Sequence, residues 1–186
     1  MNTKEQFEGW LLDVSTCPNG VILWVKRTTD HRILKIFDSY SPEFFAVPNK
    51  HTGKDFRQLE TILRSHPHVD RVRVCEKYVK LEDHKKTKIF GVSVAFPRVF
   101  KSTIQEIDTT GFFTLYNTDL PLSQMYFYEK DLFPISLCGF TVIQKERPRD
   151  KTHYELVSLE LMDDNEVLFY DLPPLKAVWL EIKVQQ

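Results

Sequence analysis

The sequence predicts an α+β chain: an antiparallel β meander, then a ferredoxin-like βαββαβ unit, then a third helix and C-terminal β-hairpins. Three observations predict it. Between residues 40 and 126, period-two runs rich in β-branched and aromatic residues alternate with stretches of 3.6-residue apolar period. Pro67, Pro97 and Pro121 stand at the edges of the helical stretches. The resulting order, strand–helix–strand–strand–helix–strand, is that of the split βαβ motif, whose helices cover one sheet face and leave the other open.

Residues 7–14 (FEGWLLDV), 21–27 (VILWVKR) and 32–37 (RILKIF) read as the meander. Pro18-Asn19-Gly20 is a turn signal between the first two, because Asn and Gly tolerate positive φ. Asp30-His31 is a weaker one, and Ser41-Pro42 breaks the chain ahead of the strand at 43–48 (EFFAVP). A helix over 55–66 follows, with Phe56, Leu59, Ile62 and Leu63 on one side. Extended runs at 71–81 (RVRVCEKYVKL) and 88–96 (KIFGVSVAF) flank a polar hairpin at 82–87. Pro97 opens a second helix, with Val99, Phe100, Ile104 and Ile107 as its apolar side, and 111–117 (GFFTLYN) is the fourth strand of the unit. Thr118 or Asp119 is expected to cap a third helix that runs from Pro121 to about Phe133. Beyond it, 135–144, 153–162 and 166–170 read as strands, the last two as a hairpin around Asp163-Asp164-Asn165. The strand at 175–184 (LKAVWLEIKV) alternates Val178, Leu180, Ile182 and Val184 against polar positions. The expected organisation is one domain over 1–134 (meander 7–38, ferredoxin-like unit 40–117, helix 121–133) and a hairpin segment over 135–186. So well patterned a strand at the end of the chain raises the expectation that more protein follows.

Composition bounds the function. Hydrophobic residues at 42% and charged residues at 27% describe an ordinary globular chain, and a net charge of −1 argues against an autonomous strong DNA binder. The charge is uneven, however. Arg71, Arg73, Lys77, Lys80, Lys85, Lys86 and Lys88 cluster against only Glu76, Glu82 and Asp83, whereas 154–186 is strongly acidic. Such a split suits either a nucleic-acid face and a protein-facing one, or two solvated strand faces. Cys17, Cys75 and Cys138 are odd in number and widely spaced, which fits a reduced, cytoplasmic protein. The polar N-terminus is no signal peptide, and no apolar run reaches the length of a membrane helix. No P-loop, nucleophile elbow or dinucleotide fingerprint occurs, so no catalytic residue, metal ligand or cofactor is assigned. His66-Pro67-His68 lacks a third ligand nearby, Cys75 reads as structural, and the Asp163–Glu166 run reads as a turn rather than a Ca²⁺ loop.

Several segments together resemble the N-terminal domain of B-family DNA polymerases of the archaeal and bacterial type. GWLLDV (9–14) with GVILWVK (20–26) is similar to the family's opening hairpin. Tyr40-Ser41-Pro42-Glu43-Phe44-Phe45 is similar to its aromatic-Pro-aromatic strand, and the run 88–97 to a strand ending in Pro before a helix. YNTDLPLSQMY (116–126) resembles the family's Y-D-I-P-x-x-x-R-Y segment, and PLKAVWLEIK (174–183) the first exonuclease motif, P-L-K-I-L-A-F-D-I-E. In that motif Glu181 and Lys183 stand where two metal-binding carboxylates belong, so the resemblance implies no exonuclease centre in this chain. The family's template-base pocket maps onto Thr16, Pro42, Phe100, Leu122 and Met125. Only Pro42 keeps the family's residue, so uracil sensing is expected to be weak or absent.

The resemblance implies a non-catalytic N-terminal domain that shapes the template-strand channel and supports the exonuclease domain in replication or repair. Its partners would be single-stranded or primer-template DNA and the remaining polymerase domains, in cis or as a separate subunit. Candidate phosphate contacts are Arg71, Arg73, Lys77, Lys80, Lys85, Lys86 and Lys88, and candidate stacking groups are Phe44, Phe45 and Tyr78. The alternative is a free-standing protein-interaction or accessory single-strand-binding module. A sequence-specific RNA-recognition module shares the fold, but in KIFGVSVA (88–95) two of its stacking positions are Val92 and Ala95, and Phe90 reads as core.

Overall fold

The computed structural model describes residues 3–51, 53–149, 152–162 and 172–174. The expected strands at 166–170 and 175–184, the turn at 163–165, and Glu181 and Lys183 lie outside them. The elements are β1 (Thr3–Cys17), β2 (Gly20–Arg27), β3 (Ile33–Ser39), β4 (Glu43–Pro48), α1 (Phe56–Ser65), β5 (Val69–Lys77) and β6 (Thr87–Val94). There follow a 3-10 turn (Pro97–Val99), α2 (Phe100–Asp108), β7 (Phe113–Tyr116), α3 (Leu122–Glu129), β8 (Leu137–Arg149) and β9 (Thr152–Leu161).

The chain is mixed α+β, as expected. Strands β4 to β7 form an antiparallel sheet in the order β5-β6-β4-β7, the strand order of a ferredoxin-like unit. One sheet face packs under α1 and α2. Phe44, Ala46, Val72, Phe90, Val92 and Phe113 meet Leu59, Leu63, Phe100 and Ile107 there. Phe90 is fully buried, with its ring 4.2 Å from that of Phe56 and edge-on to Phe113. Each such side chain contributes roughly 1.5–3 kcal/mol by leaving water. α1 starts where the sequence says it should: Asp55 accepts from the Gln58 N–H at 2.8 Å, and the Gln58 side chain accepts from the Asp55 N–H at 3.0 Å.

The remaining strands close into a barrel in the order β1-β2-β3-β9-β8. Its pairings are antiparallel except for β3 with β9, where Ile36 lies beside Tyr154. This is the strand order of a five-stranded OB-type barrel, with the ferredoxin-like unit inserted between its third and fourth strands. Leu11, Val14, Val21, Leu23, Val25, Ile36, Phe140 and Val142 fill it. Strands on both sides of position 134 therefore share one core, and the meander is three-fifths of a closed barrel.

Three local expectations are corrected. The β1–β2 turn uses no positive φ at Asn19 or Gly20. Gly20 instead serves close approach, since a Cβ there would lie 2.0 Å from the Asp38 carbonyl oxygen. Neither Thr118 nor Asp119 caps α3, whose N-cap is Pro121 with no side-chain bond. α3 also ends at Glu129, short of Phe133, because Asp131 turns left-handed (φ 53°). The Leu132 N–H then bonds to the Phe127 carbonyl at 2.9 Å, and Leu132 is buried against the barrel core.

Candidate nucleic-acid interface

Among the described residues, α1 and α2 both pack on the first face of the ferredoxin-like sheet and leave its second face uncovered by them. Alternation along β4 sends Phe44 and Ala46 under the helices and leaves Glu43, Phe45 and Val47 on this open face. Alternation along β5 likewise places Arg71, Arg73 and Lys77 opposite to buried Val72. Register then sets Arg73, Gly91, Phe45 and Tyr116 side by side across four strands. The Arg73 guanidinium lies 5.9 Å, and the Lys77 ammonium 5.7 Å, from the centre of the Phe45 ring. Two shallow grooves flank that ring. One, of about 360 Å³, runs between Arg73, Lys77 and the α3 side chains Met125, Tyr128 and Glu129. The other, of about 300 Å³, lies between Lys77, Tyr78, Val79 and Tyr116.

The electrostatics of the face are partly internal. Arg73 donates from Nε to Glu43 Oε2 at 2.7 Å and from Nη2 to Oε1 at 2.5 Å. The hydrogen bond to this carboxylate, more than any other influence, holds the guanidinium pKa above its ordinary value. Behind Glu43, Glu129 accepts from the Tyr40 hydroxyl at 3.1 Å and from the Glu43 N–H at 3.4 Å. Burial pushes the Glu129 carboxyl up, against the opposing effect of the Tyr40 bond. Deeper still, the Tyr126 hydroxyl donates to Asp38 at 2.8 Å, and Tyr126 stands edge-on to Tyr40. Burial raises Asp38 and both phenols, so these tyrosines stay protonated. The chain of contacts ties barrel strand β3 through α3 to the sheet face.

The loop between β5 and β6 extends the cationic surface. Asp83 accepts from the backbone N–H groups of Val79 and Lys80 at 3.1 and 2.9 Å and closes the turn. Lys80, Lys85 and Lys86 are exposed around it, with Lys86 5.7 Å from the Tyr78 ring and Leu81 fully exposed at the tip. Tyr78 is 58% exposed and shares the second groove with Phe45.

The structure thus brings together Arg71, Arg73, Lys77, Phe45 and Tyr78, with Lys80, Lys85 and Lys86 on the adjoining loop. It separates two predicted residues from them. Phe44 is fully buried, 6.1 Å from the Phe100 ring, and offers no stacking surface. Adjacent strand residues point to opposite faces, so Phe44 and Phe45 could not both have served. Lys88 faces the helix side, opposite Glu76. Phe90, read as core, is core. Sequence reasoning missed Glu43, Tyr116 and Tyr128. The alternation that selects Phe45 would have found Glu43, whereas the other two needed the strand order.

The positions mapped to a template-base pocket do not converge on one cavity. Phe100, at 2% exposure, and Met125 sit in the ferredoxin-like core, and Leu122 packs on it. Pro42 is buried and its carbonyl accepts from the Val94 N–H at 2.9 Å. Thr16 is exposed on the barrel. The His66 ring is held 3.0 Å from Glu106. Among the described residues no group of three or more His, Cys, Asp or Glu could hold a metal ion, and no helix is long and apolar enough to cross a membrane.

No protein-family model matches the sequence, and no curated protein matches it. The fold is similar to part of the family B DNA polymerase from the hyperthermophilic archaeon Pyrobaculum calidifontis. The TM-score is 0.62, with 19% sequence identity over 90% of this chain and 21% of that one. At this identity the likeness establishes the fold, and the chain spans about a fifth of that polymerase.

Proposed function

We propose that the chain is a non-catalytic N-terminal domain of the family B DNA polymerase type, working in the cytoplasm in DNA replication or repair. It guides a single strand, the template, along the open sheet face and supports a neighbouring exonuclease domain. Nucleotidyl transfer belongs to other domains, joined in cis or bound as a separate subunit. The observation that carries the reading is the match of 90% of the chain to a polymerase region. It is joined by an open face on which Phe45 lies among Arg73, Lys77 and Tyr78. Cations beside an aromatic platform suit a sequence-tolerant single strand: phosphates meet the cations and a base stacks. The positions mapped to a base pocket do not meet in one cavity, and Phe100 and Met125 are buried in the core, which supports weak or absent uracil reading.

The test is the affinity of a labelled oligonucleotide across a salt series, for the parent and for a variant with Lys85 and Lys86 changed to Ala. Loss of two phosphate contacts flattens the log–log salt slope by about 1.4 on a single strand. Unchanged slope and affinity would remove the loop from the interface. Leu81, fully exposed at the loop tip, favours a second reading, a free-standing interaction or accessory module. There, neutralising the two lysines leaves partner binding intact.

A further inference from the structure

Arg73 is the central cation of the open face, and it is already neutralised. Glu43 grips it through two parallel hydrogen bonds of 2.7 and 2.5 Å. The planar fork of a guanidinium offers that same bidentate geometry to a phosphate. The Glu43 side chain is 13% exposed and that of Arg73 44%, so the carboxylate lies low on the sheet and the guanidinium faces solvent. Gly91 makes the arrangement possible. A Cβ there would come within 2.8 Å of Glu43 Oε2 and 3.0 Å of Arg73 Nε, so the missing side chain lets the pair lie flat beside Phe45. A strand stacked on Phe45 would bring its phosphates to the two cations that converge on this ring, Arg73 and Lys77. Among the described residues, no carboxylate pairs with Lys77 as Glu43 does with Arg73.

Resting on the reading of this face as a single-strand surface, we propose that Glu43 is a built-in stand-in for a backbone phosphate. The strand binds by taking the place of the Glu43 carboxylate on Arg73. Glu43 thereby sets how tightly, and up to what salt concentration, the face holds a strand, and it keeps Arg73 from gripping stray anions. The exchange swaps one bidentate anion for another, so the strand gains a phosphate contact only against an internal competitor. Removing the competitor's charge turns Arg73 into a full contact.

A double-mutant cycle on the full chain tests this, with an oligothymidylate probe followed by fluorescence anisotropy and folding checked by thermal melting. Glu43→Gln is expected to tighten binding about tenfold, the order of one charge-assisted hydrogen bond. Arg73→Ala alone is expected to stay within about twofold of the parent, because its cation is already occupied. Combining the two substitutions is expected to remove most of the gain. Glu76→Gln, with the same change of net charge on β5, is expected to shift affinity less than about twofold. Gly91→Ala changes no charge but pushes the ends of both side chains apart, and it should tighten binding by a smaller factor. The proposal is overturned if Glu43→Gln leaves affinity unchanged or lowers it, if Glu76→Gln tightens binding equally, or if the gain survives without Arg73. A chain that binds the probe through Lys85 and Lys86 but ignores Glu43→Gln overturns the exchange and leaves the single-strand reading standing. A chain that binds under none of these conditions overturns both.

Discussion

Replacing Gly20 by Ala probes a close strand approach in the barrel. An added Cβ would stand 2.0 Å from the Asp38 carbonyl oxygen, 3.0 Å from its carbon and 3.1 Å from Phe37 Cε2. The oxygen belongs to the backbone of β3, where Gly20 pairs with Ser39 and Val21 with Asp38. No flexible side chain can swing aside, so the strands must part by more than an ångström. Overpacking costs about 1–3 kcal/mol, and one or two weakened ladder bonds add about 1 kcal/mol each. A total of about 3–4 kcal/mol lowers the melting temperature of a chain this size by about 6–16 °C. Gly53→Ala is the comparison. Gly53 has φ +64° and open space where its Cβ would go, so strain alone costs about 1 kcal/mol. Scanning calorimetry or urea melts read both variants. If Gly20→Ala melts within two or three degrees of Gly53→Ala, the close approach of β2 and β3 is wrong, and the barrel register with it.

The two faces of the ferredoxin-like sheet predict opposite outcomes for two phenylalanines. Phe90→Ala empties a fully buried site stacked on Phe56 and should cost about 3–5 kcal/mol in a denaturant melt. Phe45→Ala should cost about 1 kcal/mol of stability while weakening oligonucleotide binding by about 1–3 kcal/mol; equal effects on stability would put Phe45 in the core. The buried acids predict a pH effect. Burial raises Asp38 and Glu129 above their ordinary values of 3.8 and 4.5. Between those values and the raised ones the folded chain holds more protons than the unfolded chain. Their contribution to stability is therefore full below the ordinary values and is lost as pH rises through the raised ones. A chain carrying Asp38→Asn and Glu129→Gln should lose that part of the pH dependence above the ordinary carboxylate range, read from melts at each pH; an unchanged profile would place both carboxyls in water.

Much of the ferredoxin-like unit was legible because its signals are local. Strand β4 falls at Glu43–Pro48, as its pattern says, and Asp55 with Gln58 marks the start of α1 within one turn. The barrel left no such mark. Its closure joins Gly9 to Cys138 and Ile36 to Tyr154, and period-two strands carry no record of a partner so distant in sequence. The end of α3 was missed because the hydrophobic pattern runs on through Leu132 and Phe133, while the backbone turns at Asp131, a residue that takes positive φ more easily than most. At the site, charge clustering located the cations but not their occupancy. Glu43 and Arg73 are thirty residues apart, and only the β4–β6–β5 order brings them together over Gly91. The reading of Phe44 as a stacking group neglected the alternation that had identified its strand.

The reading of the open sheet face as a single-strand surface is tested most directly by a salt titration of oligonucleotide affinity, comparing the parent with Lys77→Ala and Phe45→Ala. It predicts binding at low salt that is indifferent to base sequence and falls linearly on a log–log plot. It predicts a flatter slope for Lys77→Ala, and a lower affinity at unchanged slope for Phe45→Ala. Binding that persists at high salt, or that neither substitution alters, would contradict it.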